Sequence, residues 1–120
     1  MSDQIVITGI HGYGFHGLFE NERTNGQDFY VDLILDLDLA QAAQSDAIAD
    51  TVNYAAITEI THQEITTNPV NLIEKLAYRI AERILSLYPK IKAVTVTVHK
   101  PQAPVGLKFH DISVVVNKVR

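Results

Sequence analysis

No cysteine occurs in the chain, so disulfide scaffolds, thiolate catalysis and cysteine-ligated metals are excluded. Basic residues are in the minority: ten Lys and Arg stand against fourteen Asp and Glu, and the resulting net charge of −4 offers no basic field to nucleic acid. No apolar run approaches the ~20 residues that a membrane-spanning helix needs. The opening residues, MSDQIVITGI, lack the basic start and long apolar stretch of a secretory signal. A soluble, cytoplasmic protein with neither nucleic acid nor membrane as partner is therefore expected. Serine is scarce, and none of Ser2, Ser45, Ser86 and Ser113 sits in a G-x-S-x-G elbow, which argues against serine nucleophilic catalysis. The five histidines, His11, His16, His62, His99 and His110, form no H-x-x-x-H pair, so a structural or surface role is expected for each rather than metal ligation. Repeats, linkers and low-complexity tracts are also missing.

What is present is ordinary globular material. Hydrophobic residues make up 47% and charged residues 20%, and 120 residues suffice for one core but not two. A single domain over 1–120 is expected.

Ile5–Ile10 is β-branched and reads as a strand, continuing with breaks into Gly12–Gly17. Gly12-Tyr13-Gly14-Phe15-His16-Gly17 formally matches G-x-G-x-x-G. A dinucleotide site would need a long amphipathic helix next, and a short polar stretch and another strand follow instead. These glycines mark a bend or a close backbone approach. Glu20–Gln27 is polar and reads as a solvated turn. Then Phe29, Val31, Leu33, Leu35, Leu37 and Leu39 alternate with Asp28, Tyr30, Asp32, Ile34, Asp36 and Asp38, giving a long strand with one apolar and one mostly acidic face. Such a strand belongs to an antiparallel sheet covered on one side only, and long edges call for a second copy to cover them.

Ala40–Asp50 reads as a short helix or turn. A helix over about 55–66 follows, with Asn53 as a possible cap and Ile57, Ile60 and Ile65 inward. Val70–Leu87 is the most strongly amphipathic stretch: Ile73, Leu76, Ala77, Ile80, Ile84 and Leu87 form one stripe, while Lys75, Arg79, Glu82 and Arg83 fall on the wet side. Glu74 belongs to neither group. It either closes a capping box with Asn71 or presents a carboxylate to an N–H-rich ligand. Lys92–Lys100, with Val94, Val96 and Val98 on one face, and Phe109–Lys118, with Ile112, Val114 and Val116, are the last two strands. The order is ββααββ: an α+β fold with a four-stranded antiparallel sheet and two helices on its apolar face.

Lys100 ends an apolar strand on the parity of the valines, just before Pro101, where side chains gather around a pocket. A lysine partly desolvated there could move protons. Tyr54 stands near a helix start, where its ring could pack or stack, and Glu22 taken alone reads as solvated.

The segments His16-Gly17, Glu22-Arg-Thr-Asn-Gly26-Gln27, Asp50-Thr-Val-Asn-Tyr54, Val70-Asn-Leu-Ile-Glu74 and His99-Lys100-Pro101, taken in order, resemble the dihydroneopterin aldolases of folate biosynthesis. The resemblance runs from Ile5 to about Val116, with Pro104-Val105-Gly106 standing where many members carry a second proline. It implies the T-fold, whose ββααββ subunits close into a barrel as a homo-oligomer, tetramer or octamer, with active sites at subunit interfaces and the acidic face lining a tunnel. The implied activity is retro-aldol cleavage of 7,8-dihydroneopterin, with side-chain epimerisation beside it and without metal, Schiff base or other cofactor. The implied catalytic residues are Lys100, Glu22 and Tyr54. The implied pterin-binding residues are Glu74, Leu72, Ile73 and, from a neighbouring subunit, Tyr54. A dihydroneopterin triphosphate epimerase, with Arg23, Lys75 and Lys108 near the phosphates, and a non-catalytic pterin- or purine-binding module are the alternatives.

Overall fold

The computed structural model describes residues 3–120. Alternation and periodicity decide its main elements. β1 (Asp3–Gly14) and β2 (Gln27–Leu37) form a long antiparallel ribbon, and β3 (Ala93–His99) and β4 (Ser113–Val119) extend it to a sheet of order β1-β2-β3-β4, antiparallel throughout. α3 (Tyr54–Thr66) lies across β1, and α4 (Ile73–Leu87) lies across β3 and β4. Two short helices, α1 (Glu20–Asn25) and α2 (Ala40–Ser45), sit in the connections. The expected α+β fold, with two principal helices on one face of a four-stranded sheet, is the one found.

The core is a single cluster. Phe29, Val31, Leu33, Leu35 and Leu37 of β2, with Val94, Val96 and Val98 of β3, meet Leu76, Ala77, Ile80 and Ile84 of α4. β1 contributes through a device that its sequence conceals. One extra residue between Ile7, opposite Leu33, and Ile10, opposite Val31, makes a bulge, with Gly9 at φ +75°. The bulge switches parity, so Ile5 and Ile7 before it and Ile10, Gly12 and Gly14 after it all face the core. The bend therefore falls at Gly9, whereas Gly12 supplies the close approach: a Cβ there would lie 2.6 Å from Cγ2 of Ile65 on α3.

Several local expectations are corrected. Glu20–Gln27 is not a solvated turn, because α1 forms there and buries Glu22. α4 begins at Ile73 with Leu72 as N-cap and no side-chain cap, so Asn71 and Glu74 build no capping box. Asn71 Oδ1 instead accepts a hydrogen bond from Arg23. Asn53 does cap α3, accepting from the N–H groups of Ala55 and Ala56. The inward side of α3 is Ile57, Thr61, Glu64 and Ile65, with Ile60 only partly covered. Glu64 is inward because α4 answers it: Arg79 Nε lies 2.5 Å and Arg83 Nη1 2.7 Å from its carboxylate oxygens, so these arginines join the helices rather than face water. Leu87 is exposed, and Leu85 takes its place in the core. β4 starts at Ser113, four residues later than the apolar pattern suggests.

Candidate active site

Three chain segments meet where the ribbon ends, and His16 joins them. Its Nε2–H donates to the carbonyl of Ile65 at the end of α3 (2.7 Å), and its Nδ1 accepts the N–H of Val70 before α4 (3.1 Å). That pair of bonds requires the neutral Nε2–H tautomer. Complete burial of the ring lowers its pKa below 6.5, against the opposing pull of the Ile65 carbonyl. Gly17 continues the junction by donating to the carbonyl of Val70 at 2.9 Å. The turn carrying Leu18 and α1 is thereby fixed against the start of α4.

Glu22 lies beneath this turn. Lys100 Nζ is 2.6 Å from its Oε2, with the two side chains only 12% and 5% exposed, so the pair is shielded from water. Gln27 Nε2 donates to the same oxygen at 3.0 Å, and the N–H of Phe19 donates to Oε1 at 3.2 Å. Burial pushes the carboxyl pKa up, but these donors and the Lys100 charge outweigh it, so the pKa lies below the usual 4.5. Gly17 is required here. A Cβ on it, at φ +156°, would stand 2.5 Å from Glu22 Cδ.

Lys100 opens onto a cavity of about 310 Å³. Its lining includes Leu72, Ile73 and Glu74 at the start of α4, and Lys100, Ala103 and Ile112 at the end of β3 and in the loop that follows it. Glu74 is exposed and makes no side-chain hydrogen bond or ion pair with the described residues, so its carboxylate is available to a ligand. Tyr54, the first residue of α3, is 62% exposed and takes no part in lining this cavity. Five of the six residues singled out from sequence thus converge within one chain, and Tyr54 stands apart. Gln27 joins the site as a donor to Glu22, a role that only its position directly after Gly26 at the start of β2 signals in the sequence.

A water-shielded ion pair beside a cavity, with an unpaired carboxylate on its lining among the described residues, makes this the candidate small-molecule site of the α+β fold. The family model described as FolB, dihydroneopterin aldolase, matches residues 5–117. The dihydroneopterin aldolase of Streptomyces coelicolor is 40% identical over 118 residues, covering 98% of each chain, and that of Bacillus subtilis is 34% identical over 116 residues, covering 97% of each. The solved Escherichia coli dihydroneopterin aldolase, in complex with neopterin, superposes with a TM-score of 0.88 at 25% identity, covering 97% of this chain and 98% of that one. This chain belongs to the dihydroneopterin aldolase family. It is accordingly an enzyme, a lyase of the aldolase kind, as the resemblance in its motifs implied.

Proposed function

We propose that Lys100 and Glu22 carry the proton transfers by which 7,8-dihydroneopterin is cleaved to 6-hydroxymethyl-7,8-dihydropterin and glycolaldehyde. The observation that carries this reading is the 2.6 Å Lys100–Glu22 pair opening on the cavity that Glu74 borders. In the cleavage, the C2′ hydroxyl gives up its proton and becomes the carbonyl of glycolaldehyde. The C1′–C2′ bond breaks, and its electrons pass into the C6=N5 unit of the N5-protonated ring. A proton then adds at C1′. The ring is its own electron sink, so the chemistry calls for neither a Schiff base, a metal nor a cofactor.

What the protein has to supply is a clamp and a proton relay. Glu74 accepts from the 2-amino group and N3–H of the pterin, a bidentate charge-assisted arrangement. The main chain at Leu72 and Ile73 holds the ring edge. Lys100 exchanges protons at the side-chain hydroxyls, through water, and Glu22 orients its amine. The exposed Tyr54 ring covers the pterin from a second copy of the chain, whose homo-oligomer, tetramer or octamer, pairs the long strand edges. The neopterin held by the E. coli relative supports the pterin as ligand. We place this single-domain enzyme in the cytoplasm, with epimerisation at C2′ as a side reaction of the same relay. Among the described residues no helix is long and apolar enough to cross a membrane.

Incubation with 7,8-dihydroneopterin in EDTA, following both products, tests the reading. Glycolaldehyde and the hydroxymethyl pterin form in equal amounts if it is right, and no glycolaldehyde release overturns it. One observation favours a second reading. Arg23 and Lys75 line a neighbouring hollow of about 520 Å³ that shares Leu18, Asn71 and Leu72 with the candidate site, so a phosphorylated side chain would find cations nearby. Assaying dihydroneopterin triphosphate beside the free triol separates epimerase from aldolase.

A further inference from the structure

Behind Lys100, on the sheet face away from the helices, His99 is held between two carboxylates. Its Nε2 lies 2.6 Å from Asp32 Oδ2 on β2, and its Nδ1 lies 2.6 Å from Asp111 Oδ2 in the loop before β4. An ionised carboxylate only accepts, so both ring nitrogens donate and the ring is an imidazolium. Asp32 is itself anchored, accepting the N–H of Gly9 at the β1 bulge through Oδ1 (2.8 Å). Asp111 precedes Ile112, which lines the candidate cavity and whose carbonyl accepts the N–H of Lys100 at 2.7 Å. One ring therefore ties the bulge, β2 and the return loop together, a single residue from Lys100.

We propose that His99 is a positioning residue for Lys100: as an imidazolium it latches the return loop to the sheet through Asp111, and so fixes both the Lys100 main chain and the Ala103–Ile112 wall. The proposal rests on the reading of Lys100 as the proton-transfer group. When the ring loses a proton, one nitrogen turns a lone pair toward a carboxylate. Asp32 stays with Gly9, so Asp111, on the loop, is released and the wall loosens.

The groups facing the ring support this assignment. Asp32 and Tyr30 come from β2 and Asp111 from the loop, while among the described residues lining this hollow β1 contributes uncharged Thr8 and Gly9. The next pair of polar side chains on that face, His11 and Asp28, is closed on itself at 2.7 Å, with His11 packed on Tyr30. Desolvation pulls the His99 pKa down, but the hydrogen bonds and charges of Asp111 and Asp32 outweigh it and hold the pKa above 6.5. A raised folded-state pKa means that the latch is closed below 6.5 and is lost as pH rises through the folded value.

The experiment measures kcat and KM against pH for the wild type, His99→Gln, Asp111→Asn and Lys100→Met, with the His99 ring titration followed by NMR in the histidine-containing proteins. In the wild type an alkaline limb of kcat coincides with the His99 titration. Asp111→Asn, which removes one negative charge from the ring's surroundings, moves titration and limb together to lower pH by about one unit. His99→Gln lowers kcat roughly ten- to hundredfold, as misplacement of a reacting group does, and loses that limb. A limb that stays in place in Asp111→Asn while the His99 titration moves overturns the proposal, and so does a wild-type profile in His99→Gln. Should His99→Gln fail to fold, the Asp111→Asn limb alone decides. Full turnover in Lys100→Met would remove the reading of Lys100 and this proposal with it, whereas an inactive Lys100→Met beside indifferent His99 and Asp111 variants overturns the latch alone.

Discussion

The amine of Lys100 and the carboxylate of Glu22 lie 2.6 Å apart although 78 positions separate them in sequence (100 − 22), and Glu74 borders the cavity that Lys100 opens onto. On the proposed reading, proton transfer falls to Lys100 and substrate capture to Glu74, and substitutions should separate them. Lys100→Ala lowers kcat by about 10²–10⁴-fold, the range of a lost general acid–base, while pterin affinity changes much less. Glu74→Ala weakens binding first. Steady-state kinetics with equilibrium titration of the product pterin check both, and equal losses in both quantities for both variants contradict the assignment.

Gly17 sets the depth at which Glu22 sits. A Cβ would fall 2.5 Å from Glu22 Cδ and 2.6 Å from Oε1, and the +156° φ penalises any other residue. Gly17→Ala therefore pushes the carboxylate away from Lys100. Overpacking of this kind costs about 1–3 kcal/mol, and misplacement of the pair lowers kcat by roughly 10²-fold. Thermal melts and kinetics on the same preparation test this: stability loss with unchanged kcat would mean that the glycine serves folding only.

The frame of this site was readable in the chain and its depth was not. β2 and α4 follow from strict alternation and from a clean apolar stripe, because burial of one face is what those periods encode. Glu22 lies in ENERTN, a string with every mark of a solvated turn, and its burial is compensated by Lys100, Gln27 and the Phe19 N–H in the space that Gly17 leaves. The parity switch at Gly9 is equally hidden, since a bulge is a property of pairing with β2 rather than of β1 alone. Asn71 has the composition of a cap but spends its side chain on Arg23, a partner 48 positions away that no local pattern contains.

Tyr54 is the residue on which assembly bears. It is 62% exposed and lies outside the lining of the cavity in its own chain, so its proposed place over the pterin requires a second copy. Tyr54→Ala and Lys100→Ala subunits, each inactive alone, should regain activity when mixed, because some interfaces then combine an intact Tyr54 with an intact Lys100. Mass spectrometry of the mixture verifies exchange. Exchanged subunits that remain inactive would locate every catalytic group within one chain.

His16 gives the fold a pH dependence distinct from that of the Lys100–Glu22 pair. Its ring is fully buried and must be neutral, since Nδ1 receives the Val70 N–H and a proton there would set donor against donor. With the folded-state pKa below the unfolded value of 6.5, the unfolded chain binds more protons between those two values. Stability from His16 is therefore complete above about pH 6.5 and declines as pH falls through that value, until the folded ring also protonates. His16→Asn keeps an acceptor for Val70 but loses the donor to Ile65 and the titration. It should be less stable at pH 8 by about 1–3 kcal/mol, the cost of an unsatisfied buried polar group. Chemical denaturation at pH 8 and at pH 5.5 measures both effects: the gap between wild type and variant narrows at the lower pH, and a gap independent of pH would mean that the ring is not held neutral by the contacts at Ile65 and Val70.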